Sequence, residues 1–500
     1  MFTNKKDIIK FANKVVPEKR QLLWNETDFV AHFFFGLNTF VTFGEDTGKI
    51  EANAFYPTDI DIPSWVQTVK DAGMKGVLIT AKHHDGFCLW QTETTSYSVA
   101  SSPYLDGKGD IVKELSDECR KENIKFGFSF SLCDRNTDKK GEDLEKLILS
   151  QLKELLTNYG EIYEVKLDLG GEKPDIDMEK IYDLIRLCQP DAVISNGPDV
   201  RHLGNARVVC RPEEWNVIRP VSSWQKITKL DENKENTYRT PDGVGKMELD
   251  LGSRKALRKA NSLCWQPYFA DCSMRDSWFY KKEEDNITMP LQKLKKLYFS
   301  VTGANGVLHI GIPIDQRGRI HEEETLTLQS FGVDMEMLTK NPLLKKSEIS
   351  ASHGNDSVQN LKKDDDTYFF SGETDEKIEI TVDFGEDKII KLIELGENIA
   401  TGQQIEKFSV YTLEGKKFKK AETHSVIGNR KLILPQKPMV TSAVKIVIEE
   451  KNMPSPLTYF LGVLSGDEDK KLYNIDDAVM LTEIMEAAYK SHKEKREVSL

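Results

Sequence analysis

The sequence predicts an α/β protein in which a (β/α)8-like barrel is followed by a C-terminal antiparallel β-sandwich. Short apolar runs alternate with helical patterns from about residue 60 to 330, and strict two-residue alternation follows after about residue 345. Repeated strand–helix alternation indicates parallel strands with helical crossovers, and about 270 residues is the usual size of such a barrel. Its chemistry is expected at the carboxyl ends of the strands.

The elements of the barrel follow one another in chain order. A helix around Trp65 to Ala72 precedes the buried strand GVLITA, and Asp110 can cap a helix that leads into the strand KFGFSFSL. A helix with apolar residues from Leu144 to Leu155 ends at Gly160, and the strand EIYEVKL follows. The next helix stops at Pro190, before the strand AVIS.

The second region has the pattern of antiparallel strands. Its alternating apolar residues are Ile378, Ile380, Val382 and Phe384, and then Val444, Ile446 and Ile448. We therefore predict a barrel over residues 1–340, a sandwich over 341–466 and a helical tail over 467–500.

Composition excludes several classes of protein. The chain has 81 acidic and 69 basic side chains, which gives a net charge of −12, so nucleic acid is not an expected partner. No run of 18 apolar residues occurs, so we expect no membrane span. The amino terminus lacks the apolar region of a signal peptide, and an odd count of seven cysteines without CxxC spacing indicates free thiols. Together these features predict a cytoplasmic protein, and they leave its oligomeric state open.

Candidate reactive groups follow the predicted strands. Phosphate-binding, dinucleotide-binding and nucleophile-elbow motifs are absent. The polar residues at strand ends are Lys82, His83, His84, Asp85, Asp134, Arg135, Asp168, Asn196 and Asp199. Adjacent residues of an extended segment point in opposite directions, so His83 and His84 are expected to bind a polar ligand rather than one metal ion. Neither a metal nor a cofactor is expected.

Glycoside hydrolysis is the chemistry that needs two carboxylates on either side of one bond. Asp168 is one candidate, and RPEEW offers Glu213 and Glu214 as the second. Four tryptophans in loop or strand-end positions favour a carbohydrate site, although core packing is the commoner role for any one of them. They are Trp90, Trp215, Trp265 and Trp278.

Seven segments resemble the α-L-fucosidases of glycoside hydrolase family 29, and more narrowly the subgroup that prefers α-1,3/1,4-linked fucose. They are ITAKHHDGFCLWQT, DIVKELSDECRKENIKFGFSFSLCDRN, EIYEVKLDLGG, NGPDVRHLGN, RPEEWNV, DSWFY and NGVLHIGIPIDQRGRIHE. The match is collinear from about residue 20 to 465. The resemblance implies a barrel with a β-sandwich and the release of α-L-fucose from fucosylated oligosaccharides through a covalent glycosyl-enzyme.

The resemblance also implies roles for individual residues. Asp168 takes the place of the nucleophile, and Glu214 that of the acid/base, with Glu213 as the rival. His83, His84, Glu45 and Trp278 match residues that contact the sugar.

Four pocket positions depart from the family pattern. They are Phe34, Ser129, Cys133 and Lys166, where the family has a histidine, a tyrosine and two tryptophans respectively. Lost hydrogen bonds to the sugar would each cost about 1–3 kcal/mol. A glycosidase of altered specificity and a carbohydrate-binding protein without efficient catalysis are therefore the alternatives.

Overall fold

The computed structural model describes residues 8, 11–41, 47–168, 175–203, 211, 213–219, 251–258, 260, 262–340, 342–363, 367–372, 376–435 and 439–451. The chain forms two compact units. Of the described residues, the first unit comprises those up to 340 together with 392–396 and 427–434, and the second comprises those of 342–391, 397–426 and 435–451. The predicted tail over 467–500 and the candidate Glu45 lie outside the described residues.

Eight parallel strands form the barrel of the first unit. In chain order they are β1 (Phe29–Phe34), β2 (Gly76–Lys82), β3 (Lys125–Ser131), β4 (Glu164–Asp168), β5 (Val193–Ser195), β6 (Arg201–His202), β7 (Tyr268–Ser273) and β8 (Gly306–Pro313). Their order in the sheet is β5-β4-β3-β2-β1-β8-β7-β6. A parallel bridge between Ser195 and Val200 joins the two edges, so the predicted barrel is confirmed.

Helices precede, connect and follow these strands. They are α1 (Lys19–Asn25), α2 (Ile62–Asp71), α3 (Ile111–Lys121), α4 (Gly141–Asn158), α5 (Met178–Cys188), α6 (Arg254–Leu257), α7 (Leu291–Thr302) and α8 (Glu322–Thr339). Every element predicted between Trp65 and Ser195 is present, and Asp110 caps α3 by accepting a hydrogen bond from the Lys113 N–H at 2.8 Å. Among the described residues, no helix has both the length and the apolar character needed to span a membrane.

Short elements complete the first unit. Val217–Ile218 pairs with Cys264–Trp265, and Ile393–Leu395 pairs with Lys431–Ile433, both antiparallel. The 3-10 turns of this unit are Leu37–Thr39, Ala52–Ala54, Val99–Ser101, Tyr104–Gly107 and Lys282–Glu284.

Alternate residues of each strand point into the barrel. At the amino-terminal ends these are apolar, and Val30, Leu78, Val200 and Val307 pack together with Trp24 from α1. Further along each strand, toward its carboxyl end, the inward-pointing residues become polar. The carboxyl ends of the strands therefore offer polar groups for ligand binding and chemistry.

The second unit contains one five-stranded antiparallel sheet. Its strands are β9 (Glu348–Ala351), β10 (Ile378–Ile390), β11 (Ile405–Glu414), β12 (Lys417–His424) and β13 (Met439–Lys451), in the order β9-β10-β13-β11-β12. Its 3-10 turns are Leu343–Lys346, Val358–Lys362 and Ile399–Thr401. Ile380 pairs with Ile446, so the two alternating runs seen in the sequence are neighbouring strands. The predicted fold class is a (β/α)8-like barrel followed by a C-terminal antiparallel β-sandwich, and the eight-stranded parallel barrel and the antiparallel sheets of the C-terminal region confirm it.

Candidate active site

Three of the predicted site residues meet at the carboxyl end of the barrel. Asp168 is the last residue of β4, and its side chain is 42% exposed. His83 and His84 directly follow β2. The distance from His84 Nε2 to Asp168 Oδ2 is 3.8 Å, and one ligand atom from each of the three residues lies within 4.8 Å of the others. A polar ligand at Asp168 would therefore also reach both imidazoles.

The two histidines lie side by side, contrary to the expectation that they point in opposite directions. Their ring centroids are 4.1 Å apart, with the planes inclined by 36°. Strand alternation does not apply because β2 ends at Lys82, where its pairing with β3 shifts register. His84 Nδ1 is hydrogen-bonded to Ser131 Oγ at 2.8 Å, which fixes the orientation of that ring.

An aromatic wall stands beside these groups. Trp278 is 39% exposed, and its ring centroid lies 4.9 Å from that of the buried Phe34 at the end of β1. Gly311 of β8 makes room for the indole, since a Cβ there would come within 2.9 Å of the ring. The Phe279 ring packs edge-on against His83 at 4.9 Å. An apolar wall next to polar imidazoles is the composition of a small-molecule binding pocket.

An ion network lies deeper in the barrel, beneath Asp168. Lys166 is two residues before Asp168 and on the same face of β4, and its Nζ contacts Asp271 Oδ2 at 2.6 Å. His202 Nε2 contacts the other oxygen of Asp271 at 2.7 Å. Burial opposes ionisation of Asp271, but His202 and Lys166 hold the pKa of its carboxyl well below the usual value. Lys166, one of the four departures from the family pattern, therefore places a positive charge inside the barrel, and the Asp271 carboxylate is its buried partner.

Below this network lie three buried titratable groups, His32, His309 and Glu164, whose pKa values burial shifts toward the neutral form. Burial lowers the pKa of His32 and of His309 well below the usual value, and the positive charge of Lys166 adds to the effect. Burial likewise raises the pKa of Glu164 to about 7, although its carboxylate accepts a hydrogen bond from Trp24 Nε1 at 2.7 Å. The barrel interior thus has a polar lining whose charge is sensitive to pH near neutrality.

The structure does not bring Glu214 to Asp168. Glu214 is fully buried, with Oε2 3.3 Å from Arg201 Nη2, and its backbone carbonyl accepts a hydrogen bond from Asn305 Nδ2 at 3.0 Å. Asn305 directly precedes β8 and Arg201 begins β6, so Glu214 lies at the amino-terminal end of the barrel. An eight-residue strand such as β8 spans about 25 Å. Asp168 ends β4, at the opposite, carboxyl end of the barrel.

Most of the other candidate residues form ion pairs, hydrogen bonds or packing contacts within the fold. Asp134 forms an ion pair with Lys82 at 3.3 Å, and Asp85 accepts the Phe87 N–H at 2.9 Å. Asn196 donates from its amide to the Leu167 carbonyl at 2.9 Å. Asp199 is buried in ion pairs with two arginines from α1 and α5, and three of the four tryptophans are buried, namely Trp90, Trp215 and Trp265.

Two of the remaining departures lie near the strand ends. Ser129 is buried on β3, in register with Thr80 and Lys166, and Cys133 follows β3 in a loop held by Ser131. Sequence reasoning missed Asp271, His202 and the buried His309. The signal for Asp271 and His309 is a charged or titratable residue inside an otherwise apolar strand, as in YFADCS and GVLHIGIP.

Comparisons with known proteins agree with this architecture. The model of the Alpha-L-fucosidase family matches residues 38–339. Alpha-L-fucosidase 1 of Arabidopsis thaliana is 30% identical over 465 residues, which cover 90% of this chain and 87% of the relative.

Solved structures show the same fold. A crystal structure from Bacteroides ovatus is 34% identical with a TM-score of 0.76, covering 91% of this chain and 74% of that one. The crystal structure of SpGH29 is 26% identical with a TM-score of 0.75, covering 88% of this chain and 96% of that one. The chain therefore belongs to the alpha-L-fucosidase family, glycoside hydrolase family 29, a family of retaining glycoside hydrolases.

Proposed function

We propose that this protein is a retaining α-L-fucosidase that releases fucose from fucosylated oligosaccharides, with Asp168 as its nucleophile. The observation that carries the proposal is the meeting of Asp168, His83 and His84 within 4.8 Å at the carboxyl end of the barrel. Family membership supplies the substrate class. Asp168 is open enough to be reached by a sugar and belongs to a rigid strand, as a nucleophile requires.

The reaction would then have two steps. Asp168 attacks the anomeric carbon, the bond to the leaving oxygen breaks, and a covalent glycosyl-enzyme forms. Water hydrolyses that intermediate in the second step, so the anomeric configuration is retained. His83 and His84 hydrogen-bond the sugar hydroxyls, and Trp278 packs against an apolar face of the ring. The chemistry calls for no cofactor.

Replacement of the nucleophile tests the proposal. We expect the full-length protein to hydrolyse 4-nitrophenyl α-L-fucoside, and Asp168→Asn to reduce kcat by at least about 10³-fold. Azide added to Asp168→Gly should restore turnover and give a fucosyl azide, because a small anion can occupy the space of the lost carboxylate. Asp175→Asn, which changes an exposed carboxylate, is the matched control and should keep full activity.

A panel of other nitrophenyl glycosides completes the test. Turnover of another glycoside alone would contradict fucose as the substrate, and equal activity of Asp168→Asn would contradict the nucleophile. The absence of any turnover would favour the carbohydrate-binding alternative.

The general acid is a separate question. A retaining mechanism needs a second carboxyl about 5–5.5 Å from the nucleophile, and Glu214 lies at the opposite end of the barrel, in contact with Arg201. We therefore predict that Glu213→Gln keeps kcat within about threefold of the parent protein, whereas Glu214→Gln mainly lowers stability by weakening a buried ion pair.

Leaving groups of different acidity check this prediction. A large loss of turnover for a natural oligosaccharide, with turnover of the activated nitrophenyl fucoside retained, is the signature of a missing general acid. That result for Glu213→Gln or Glu214→Gln would show that the segment carrying these glutamates reaches the active site at Asp168.

Two finer proposals accompany this one. The resemblance supports a preference for α-1,3/1,4-linked fucose, which a comparison of fucosylated trisaccharides with α-1,2, α-1,3 and α-1,4 linkages would measure. The six cysteines that the structure describes are free thiols, which supports a cytoplasmic location. Fractionation of the native cells tests the location directly.

A further inference from the structure

We propose that His83, His84 and Asp168 bind a divalent transition-metal ion such as Zn²⁺, and that a bound ion blocks the sugar pocket. The ligand atoms of the three residues lie within 4.8 Å of one another. Tetrahedral zinc with bonds of about 2.0–2.1 Å places its ligands about 3.3–3.5 Å apart. His84 Nε2 and Asp168 Oδ2 are already 3.8 Å apart, so small side-chain rotations would complete the geometry.

Contacts with Ser131 and Phe279 hold the two histidine rings in orientations that suit metal binding. The hydrogen bond between His84 Nδ1 and Ser131 Oγ leaves Nε2 directed toward Asp168. Metal-bound histidines characteristically engage their other ring nitrogen in such a contact. The adjacent His83 ring is held at its side by the edge-on contact with Phe279 and faces the same space.

The ligand set selects the class of metal. Two imidazole nitrogens and one carboxylate oxygen suit zinc and its neighbours in the transition series, whereas Mg²⁺ and Ca²⁺ prefer oxygen ligands alone. Asp168 is 42% exposed and His84 14%, so an ion can enter from solvent and keep a water as its fourth ligand. We therefore expect binding of Zn²⁺ and no binding of Mg²⁺ at the same concentration.

Occupancy by the metal would stop catalysis. A carboxylate that coordinates zinc cannot attack an anomeric carbon, and imidazoles that coordinate zinc cannot hydrogen-bond sugar hydroxyls. Zinc should thus compete with the sugar and be removed by EDTA. This blocking effect rests on the proposed function, whereas the binding itself does not.

Isothermal titration calorimetry of the full-length chain with ZnCl₂ tests the binding without reference to activity. We expect one Zn²⁺ per chain, and an affinity at least about tenfold lower in His84→Ala and in Asp168→Asn. Two controls should bind zinc like the parent protein. Cys133→Ser excludes a thiol near Ser131 as the ligand, and His353→Ala excludes a surface histidine of the second unit.

The outcomes separate the two claims. If no zinc binds, or if His84→Ala and Asp168→Asn bind it unchanged, the metal site is wrong, whatever the activity of the protein. If zinc binds there but inhibition of nitrophenyl fucoside hydrolysis is absent or is not competitive with fucose, the blocking effect is wrong. A protein without fucosidase activity that still binds zinc at these residues would overturn the proposed function and leave the metal site standing.

Discussion

Lys166 and Asp271 form an ion pair inside the barrel, with side chains 9% and 13% exposed. Removing one partner of a buried pair leaves an uncompensated charge and typically costs about 3–5 kcal/mol. We therefore expect Lys166→Met to lower the free energy of unfolding by about that amount, and the double variant Lys166→Met/Asp271→Asn to lower it less. His202 keeps one contact with Asp271 in the single variant, which sets the lower end of the range.

Urea unfolding of Lys166→Met, Asp271→Asn and the double variant measures the coupling between these side chains. A cost below about 1 kcal/mol for Lys166→Met would mean that water or His202 compensates the remaining carboxylate. Lys166 and Asp168 lie on the same face of β4. The same variants should therefore also change the binding of a fucose-like iminosugar beside Asp168.

At the scale of single elements, the cap of α3 joins three parts of the barrel. The Asp110 carboxylate accepts hydrogen bonds from the Lys113 N–H at 2.8 Å, the Gln91 N–H at 3.2 Å and the Tyr159 hydroxyl at 2.9 Å. Loss of a helix cap costs about 0.5–2 kcal/mol, and the two further bonds add to it. We expect Asp110→Ala to lower the free energy of unfolding by at least about 2 kcal/mol.

The matched control is the cap of α5. Asp177 accepts one hydrogen bond, from the Glu179 N–H at 3.1 Å, so Asp177→Ala should cost about 1 kcal/mol or less. Thermal or urea unfolding compares the two variants. Equal losses would mean that Gln91 and Tyr159 contribute nothing beyond the local cap.

The elements also show how far sequence reasoning extends. Amphipathic helices such as α3 and turn signals such as Pro190 are local, so the elements from Trp65 to Ser195 could be predicted from periodicity and caps. The position of Asp168 at a strand end follows from the same logic. Glu214 could not be placed, because its distance from Asp168 depends on which end of the barrel a long connection returns to.

For a related reason, the ion network could not be predicted from the periodicity of the sequence. Lys166, Asp271 and His202 lie on three strands separated by up to 105 residues, and only closure of the barrel brings them together. The side-by-side histidines were missed because the rule of alternation was applied past the end of β2.

At the scale of the whole molecule, charge is distributed unevenly between surface and interior. The net charge of −12 reflects an acidic surface, whereas the barrel interior holds Lys166, three histidines and a few carboxylates in a small volume. Burial lowers the pKa of His32 and of His309 well below the usual value, and it raises the pKa of Glu164 to about 7, so that its carboxyl is mostly protonated only below that pH. Stability should therefore respond to pH through the interior as well as through the surface.

The sign of the Glu164 contribution follows from its pKa. The folded-state value is about 7 against 4.5 for an ordinary glutamate, so the folded protein binds the proton more tightly than the unfolded chain. The corresponding stability is fully present below pH 4.5 and is lost as the pH rises to about 7. The two histidines act in the opposite sense, because the unfolded chain takes up protons that buried His32 and His309 do not, so they reduce stability as the pH falls below about 6.5.

Replacement of Glu164 by glutamine separates these effects. The neutral amide can accept the Trp24 Nε1–H bond and donate to Ser195 Oγ, and it carries no charge to desolvate. We expect Glu164→Gln to be more stable than the parent protein at pH 8, by up to about 3 kcal/mol, and equal to it near pH 4.5. Glu161→Gln, an exposed change three residues earlier, should follow the parent protein throughout. Urea unfolding at pH 4.5, 6 and 8 provides the comparison. If Glu164→Gln is no more stable than the parent protein at pH 8, Glu164 is ionised there without cost, and the interior does not set the pH response that its burial indicates.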